Sequence, residues 1–312
     1  MQEKTIETQA KNFTRTDIEF NADGNILRGW LYLPESNGQQ VPAIVMAHGY
    51  SAVKEMYLDR YAEAFAKAGL AALVFDYHGF GASDGTPRQE INPWQQIEDY
   101  RHAITYAGML PEVDQHRIGV WGSSYSGGHV LVLGATDRRV KCVVSQVPTI
   151  SGYQSALRRV PGEAVDQLLH SFAEERVRRM QGANPEMLAV IPENAGVNAV
   201  YKIPDAIEWY SEGGKLAPGW RNEVTLRSVE FSRAYEPGIY VSRISPTPLL
   251  MIVGEKDYVT PTDLALVAYE NALQPKRLVM LPGGHFDPYV KNFKQSSSAA
   301  VQWFCQHLLL GS

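Results

Sequence analysis

IGVWGSSYSGGHVLV, residues 118–132, runs from an apolar stretch through Gly122-Ser123-Ser124-Tyr125-Ser126-Gly127-Gly128 into a second apolar stretch of helical character. A strand that feeds a helix through one tight turn brings the residues two positions before and after the apex close together, so both must be small. Centred on Ser124, those positions are Gly122 and Ser126. Centred on Ser123, the upstream position would be Trp121, which is too bulky; Ser126 would already lie in the first turn of the helix. Ser124 is therefore the candidate for an exposed nucleophile. Small polar residues between a strand and a helix are also ordinary turn material, and the rest of the chain has to separate the two readings.

Outward from this turn, PAIVMAHG (42–49), AALVFDYHG (71–79), VKCVVSQVP (140–148), PLLMIVGEKD (248–257) and KRLVMLPGGH (276–285) are continuous apolar runs of strand length. Strands apolar on both faces belong to parallel sheets covered by helices. Helical patterns lie between them at 54–69, 92–110, 260–273 and, at the end, 296–310, and residues 16–35 read as a hairpin turning at Ala22-Asp23-Gly24-Asn25. The expectation is an α/β chain, a doubly wound and mostly parallel sheet. Residues 149–245 contain no buried-strand run; a stretch so long is an inserted, mainly helical cap rather than a loop, with 1–148 and 246–312 as the core. Within it, GEAVDQLLHSFAEERVRRM (162–180) is an amphipathic helix, whereas 202–220 reads as irregular and aromatic-rich.

In open parallel sheets the reactive groups gather beyond the carboxyl ends of the strands. Ser124 holds such a position. GEKDYVTP follows the strand near 250 and offers Asp257, with Glu255 and Asp263 as rival acids, and GGHFDPY offers His285. A serine hydroxyl needs an imidazole as general base, and the imidazole needs a carboxylate to fix its tautomer and stabilise its protonated form. Acyl transfer also needs two preorganised donors for an oxyanion. The N–H of Tyr125, just after the candidate nucleophile, and that of Tyr50, after His48-Gly49, are the expected pair.

HGYSAVKE, DYHGFGASDG, GSSYSGG, GEKDYVTP and GGHF occur here in the order shown by the α/β-hydrolase superfamily, which the chain resembles from about Asp17 to Leu310. More narrowly it is similar to dienelactone-hydrolase-like serine hydrolases and their relatives, the polyketide transferases and thiohydrolases. The resemblance implies an α/β-hydrolase fold and a catalytic acid at the Asp of Gly-x-x-Asp, which is Asp257 rather than Glu255 or Asp263. Two departures stand out, Ser126 in place of Gly and His78 where relatives often carry Arg; neither is in the expected triad.

Other features narrow the function. With 29 Lys and Arg against 34 Asp and Glu, the net charge of -5 gives no basic surface for nucleic acid. The first twenty residues lack an apolar leader and no run reaches membrane-spanning length, so a cytoplasmic protein is expected. Cys142 and Cys305 form no disulfide framework. His102, His116, His129, His170 and His307 lack metal-ligand spacing, and no metal or other cofactor is expected. Trp209, Tyr210 and Trp220 are candidates for a substrate pocket under the insertion, with plain packing as the alternative; the arginines of EERVRRM (174–180) read as a solvated helix face. The expected activity is cleavage of a small-molecule carboxylic ester or thioester by Ser124, His285 and Asp257. The alternatives are an acyltransferase using the same residues, or a non-catalytic binding protein on the same fold.

Overall fold

Asp23 and Gly24 take positive φ angles of 49° and 91°, the backbone of a two-residue hairpin turn whose twist matches its strands. In the computed structural model, which describes residues 12–160, 162–194 and 196–310, this turn joins β1 (Phe13–Ala22) to β2 (Asn25–Pro34). The reading of the first residues as lacking an apolar leader falls largely outside the described residues. The chain continues through β3 (Val41–Ala47), α1 (Leu58–Lys67), β4 (Ala71–Phe75), α2 (Pro93–Met109), β5 (Val113–Ser123), α3 (Tyr125–Thr136) and β6 (Val140–Gln146). After a long excursion it returns as β9 (Leu249–Gly254), α8 (Thr262–Asn271), β10 (Lys276–Leu281) and α9 (Phe293–Phe304). The excursion contains α4 (Gly152–Arg159), α5 (Gly162–Met180), α6 (Pro204–Leu216) and α7 (Leu226–Arg233), with the two-residue strands β7 (Met187–Leu188) and β8 (Val224–Thr225) paired to each other.

The main sheet has eight strands in the order β1-β2-β4-β3-β5-β6-β9-β10. Both the β1–β2 and β2–β4 pairings are antiparallel, and every other pairing is parallel. Every residue of β3, β4 and β9 is buried, as continuous apolar runs require when helices cover both faces. The doubly wound, mostly parallel α/β-hydrolase sheet expected from the sequence is the one found.

Local departures have local causes. The helical pattern from Lys54 starts only at Leu58, because Lys54 is drawn inward: its Nζ lies 2.6 Å from Asp76 Oδ2 in a buried ion pair, and the Met56 carbonyl accepts from His48 Nε2 at 2.7 Å. The segment 202–220 is not irregular; most of it is α6, begun by Pro204 in the first turn, where a missing N–H costs nothing. Gly213 and Gly214, poor helix formers, are there for packing. A Cβ on Gly213 would lie 2.5 Å from Met56 Cε, and one on Gly214 2.9 Å from the Trp220 ring. The last part of the excursion, from Tyr235 to Ile244, packs on α3: a Cβ on Gly128 would stand 2.8 Å from Pro237 Cγ and one on Gly134 2.7 Å from Val143 and 3.3 Å from Ile244.

Burial sets the acid limit of this fold. His129 is buried with Nδ1 2.8 Å from the Tyr235 hydroxyl and Nε2 2.9 Å from Gln96 Oε1. Burial depresses it to about 3, and depresses His48 to about 4 against an opposing hydrogen bond to Met56. In the unfolded chain both titrate near 6.5, so as pH falls from there the unfolded state binds protons that the folded state refuses. Asp99 acts in the opposite sense: burial raises it to about 6, so its contribution to stability grows as pH falls through 6. Two histidines outweigh one carboxyl. The expected outcome is a loss of stability on the order of 2 kcal/mol between pH 7 and pH 5, read by urea unfolding at the two pH values. A stability that is flat or higher at pH 5 contradicts the assignment.

Candidate active site

β5 ends at Ser123 and α3 begins at Tyr125, so the whole turn rests on Ser124, whose φ of 61° and ψ of -118° lie outside the ordinary helix and strand regions. Crowding enforces the small neighbours: a Cβ on Gly122 would lie 2.3 Å from the Ser126 carbonyl oxygen. Ser126, in place of the usual glycine, is buried with its hydroxyl engaged. Its hydroxyl accepts from Tyr77 at 3.1 Å and lies 2.7 Å from the hydroxyl of Tyr100, which also receives the Ala47 N–H and donates to the Trp121 carbonyl. Ser123 Oγ is equally occupied, accepting from the Tyr289 hydroxyl at 2.5 Å and from Gln146 Nε2 at 3.1 Å. Of the three serines, only Ser124 is left at the apex.

His285 Nε2 lies 2.8 Å from Ser124 Oγ, and His285 Nδ1 lies 2.7 Å from Asp257 Oδ2. With Nδ1–H donating to the carboxylate, Nε2 keeps its lone pair toward the serine hydroxyl. Ser124, Asp257 and His285 are 8%, 4% and 2% exposed, so these contacts are shielded from bulk water. Asp257 is held from its other side: Oδ1 accepts the N–H groups of Val259 and Thr260, both at 2.8 Å. The Thr260 hydroxyl lies 2.9 Å from Asp257 Oδ2, 2.9 Å from the Val147 carbonyl and 3.1 Å from His285 Nδ1. Sequence reading missed Thr260, although an Asp that caps the amides two and three residues on is a recognisable turn. The rival Asp263 is tied to Arg158 at 2.6 and 2.7 Å. Asp287 accepts the Gly284 N–H at 2.7 Å and so braces the turn before His285.

The loop after β3 passes against the serine. A Cβ on Gly49 would be 2.8 Å from Ser124 Cβ and 3.3 Å from its Oγ, so the next residue, Tyr50, follows beside the hydroxyl. Tyr125 opens α3, where the first N–H groups have no intrahelical acceptor. His48 serves the loop: Nδ1 accepts the Gly49 N–H at 2.8 Å while Nε2 donates to Met56. His78 stands in a turn, its ring against Gly85 and its N–H donating to Asp99.

A cavity of about 720 Å³ opens over Ser124, walled by Tyr50, Tyr125, Thr260 and residues of the excursion such as Leu168, Tyr201 and Ser232. Trp209, Tyr210 and Trp220 do not line it. They are packed into the loop after β3, where Tyr210 donates to the Tyr50 carbonyl at 2.6 Å and Trp220 Nε1 donates to the Ser51 carbonyl at 3.0 Å. Trp209 is stacked on Phe286 with ring centroids 5.2 Å apart. Large flat rings with one polar edge suit a buried joint as well as a pocket, and the expectation that these three contact substrate is corrected to a structural one. The arginines of 174–180 are paired, Arg176 with Glu230, Arg178 with Glu186 and Arg179 with Glu175. Among the described residues no three His, Cys, Asp or Glu side chains gather to share a metal ion, and no helix is long and apolar enough to cross a membrane.

Sheet order, turn and cavity together define an α/β hydrolase. The chain belongs to the X-Pro dipeptidyl-peptidase (S15) family, whose model matches residues 23–287. Among its relatives, the thiohydrolase aneE of Aspergillus aculeatus is 34% identical over 275 residues, 85% of this chain and 84% of that protein. The quorum-quenching protein AidA of Acinetobacter baumannii is 34% identical over 274 residues, 88% of each chain. The crystal structure of the α/β hydrolase GrgF from Penicillium superposes with a TM-score of 0.82 at 30% identity, covering 95% of this chain and 99% of that one; the polyketide transferase grgF of Penicillium is 31% identical over 280 residues, 89% of this chain and 92% of that protein. The chain is thus an enzyme of the hydrolase and acyltransferase kind.

Proposed function

We propose that this protein is a serine hydrolase that cleaves a carboxylic ester or a thioester of a small molecule through an acyl-enzyme on Ser124. The observation that carries the reading is the unbroken line from Ser124 Oγ to His285 Nε2 at 2.8 Å and from His285 Nδ1 to Asp257 at 2.7 Å. His285 takes the hydroxyl proton as Ser124 Oγ attacks the acyl carbon, and Asp257 stabilises the imidazolium that results. The N–H groups of Tyr50 and Tyr125 hold the oxyanion. His285 then protonates the leaving alcohol or thiol, and a water, deprotonated by the same imidazole, releases the acid. Residues 149–245 act as a cap that excludes bulk water from the acyl-enzyme.

An acyltransferase using the same residues is the second reading, favoured by the relatives named for transfer. The literal activity of the family name fits less well. A dipeptidyl-peptidase must receive a protonated peptide N-terminus, yet no described residue lining the cavity is an Asp or Glu. The test is product analysis with p-nitrophenyl butyrate and a butyryl thioester, with and without added alcohol. Free butyrate as the main product in both cases supports hydrolysis; butyrate esters formed in preference to butyrate favour transfer, and no acyl product of either kind sinks both.

The joint made by Tyr210 and Trp220 has a consequence for this mechanism. Ser51 has a positive φ of 59°, a conformation that its surroundings must impose, and the two side chains fix the carbonyls on either side of it. Tyr210→Phe should therefore lower kcat by roughly tenfold, one hydrogen bond's worth of oxyanion alignment, with KM and the ranking of acyl-chain lengths little changed. Steady-state kinetics over a series of p-nitrophenyl esters checks this; a change in chain-length ranking at constant kcat contradicts it.

A further inference from the structure

The protein carries a net charge of -5, yet the cavity over Ser124 is one-sided in the opposite sense. Arg158, Arg159, Lys202 and Arg233 reach its wall, and none of its described lining residues is acidic. Arg158 is neutralised by Asp263. Among the described residues no carboxylate pairs with the other three, in contrast to the paired arginines of 174–180 in the same segment. Arg159 and Lys202 are exposed at the cavity wall and Arg233 is half-buried; like charges gathered around one cavity repel each other, and an anion that joins them relieves the repulsion.

Arg159 is aimed rather than loose. Its Nε donates to the Ser155 carbonyl at 3.2 Å, and its guanidinium carbon lies over the Tyr201 ring, 5.6 Å from the centroid. These contacts, with the Tyr201 hydroxyl as a further partner of the guanidinium, hold the planar fork at the cavity wall, the geometry that matches a carboxylate or phosphate. Arg233, at the end of α7, has a buried Nη1 with no acceptor in the protein. The charge of Arg159 is felt at the cavity floor: burial raises the phenols of both Tyr50 and Tyr125, and Arg159 is the cation that opposes the rise at each. Arg159 and Ser124 line the same cavity of about 720 Å³, so an anion held by Arg159 is within one small molecule's length of Ser124.

Building on the acyl-enzyme reading above, we propose that the substrate is an anionic ester or thioester, its carboxylate or phosphate gripped by Arg159 with Arg233 and Lys202 while the acyl carbonyl meets Ser124. The anion has two sources, the acyl chain or the leaving group, and two substrate pairs separate them. The first pair is mono-p-nitrophenyl glutarate against its methyl ester; the second is butyryl-coenzyme A against S-butyryl-N-acetylcysteamine. In at least one pair the anionic member should show a kcat/KM higher by about tenfold or more, the worth of one charge-assisted hydrogen-bond pair. Arg159→Gln should bring that ratio below about three, Arg159→Lys should restore part of it, and Lys141→Gln, an exposed cation away from the cavity, should leave it intact. Ratios near one in both pairs, or a ratio unchanged in Arg159→Gln, overturn the proposal while cleavage of the neutral members leaves the acyl-enzyme reading standing. Binding gives a readout independent of turnover. In Ser124→Ala protein, calorimetry should show glutarate or coenzyme A binding, weakened by Arg159→Gln, where dimethyl glutarate does not; no preference for either anion overturns the inference even if no ester is cleaved.

Discussion

Ser124→Ala is expected to lower the turnover of p-nitrophenyl butyrate by on the order of 10⁶, the loss typical when the nucleophile of a triad is removed, with unfolding free energy unchanged to within about 1 kcal/mol. The side chain lost is small, and among the described residues its Oγ hydrogen-bonds to the His285 side chain alone, so the core does not depend on it. The neighbouring serines separate chemistry from architecture. Ser123→Ala and Ser126→Ala deprive the buried hydroxyls of Tyr289 and of Tyr77 and Tyr100 of a partner, at a cost of about 1–3 kcal/mol in stability, and each should keep most of its activity. Steady-state rates beside urea melts read both effects. Full activity in Ser124→Ala, or an inactive but folded Ser126→Ala, contradicts the assignment.

Asp257→Asn has the second-largest expected effect, about 10⁴ in kcat, and the surroundings say why. Asp257 Oδ1 receives two backbone N–H groups, from Val259 and Thr260. An asparagine must keep its carbonyl oxygen there, so its NH₂ takes the place of Oδ2 and faces His285 Nδ1. That nitrogen then has to accept, the ring proton moves to Nε2, and the face turned to Ser124 becomes a donor that cannot remove a proton. The variant should fold normally and bind substrate with little change in KM. Glu255→Gln and Asp263→Asn should lose less than tenfold, because neither carboxylate contacts the imidazole. A kcat for Asp257→Asn within tenfold of the parent, or a larger loss in Asp263→Asn, contradicts this.

Much of the sheet and the elbow was legible in the sequence because both are enforced locally. A strand buried on two faces can hardly be anything but continuously apolar, as in PAIVMA and PLLMIV, and the turn at Ser124 tolerates no large residue at Gly122. Ser124, Asp257 and His285 follow the carboxyl ends of β5, β9 and β10, which gives their meeting a topological basis. What escaped depends on which surfaces meet. Residues 202–220 read as irregular in sequence, whereas Gly213 and Gly214 are accommodated inside α6 because Met56 and Trp220 pack against them. Trp209, Tyr210 and Trp220 have the composition of a pocket, but only the fold brings their polar edges to the carbonyls of Tyr50 and Ser51. Arg159 and Arg233 lie seventy-odd residues apart, at the ends of two short helices, and no spacing rule joins them. Thr260 was within reach of local reasoning, since an aspartate followed by a threonine three residues on is a turn with a mechanism.

The most direct test of the central claim is covalent. The protein is incubated with a p-nitrophenyl alkylphosphonate, which transfers its phosphonyl group to an activated serine, and is then examined by intact-mass and peptide mass spectrometry. One label per chain is predicted, on the peptide that contains Ser124, with none in Ser124→Ala and slowed labelling in Asp257→Asn. Labelling that persists in Ser124→Ala, or maps to Ser123, Ser126 or another residue, would contradict the account.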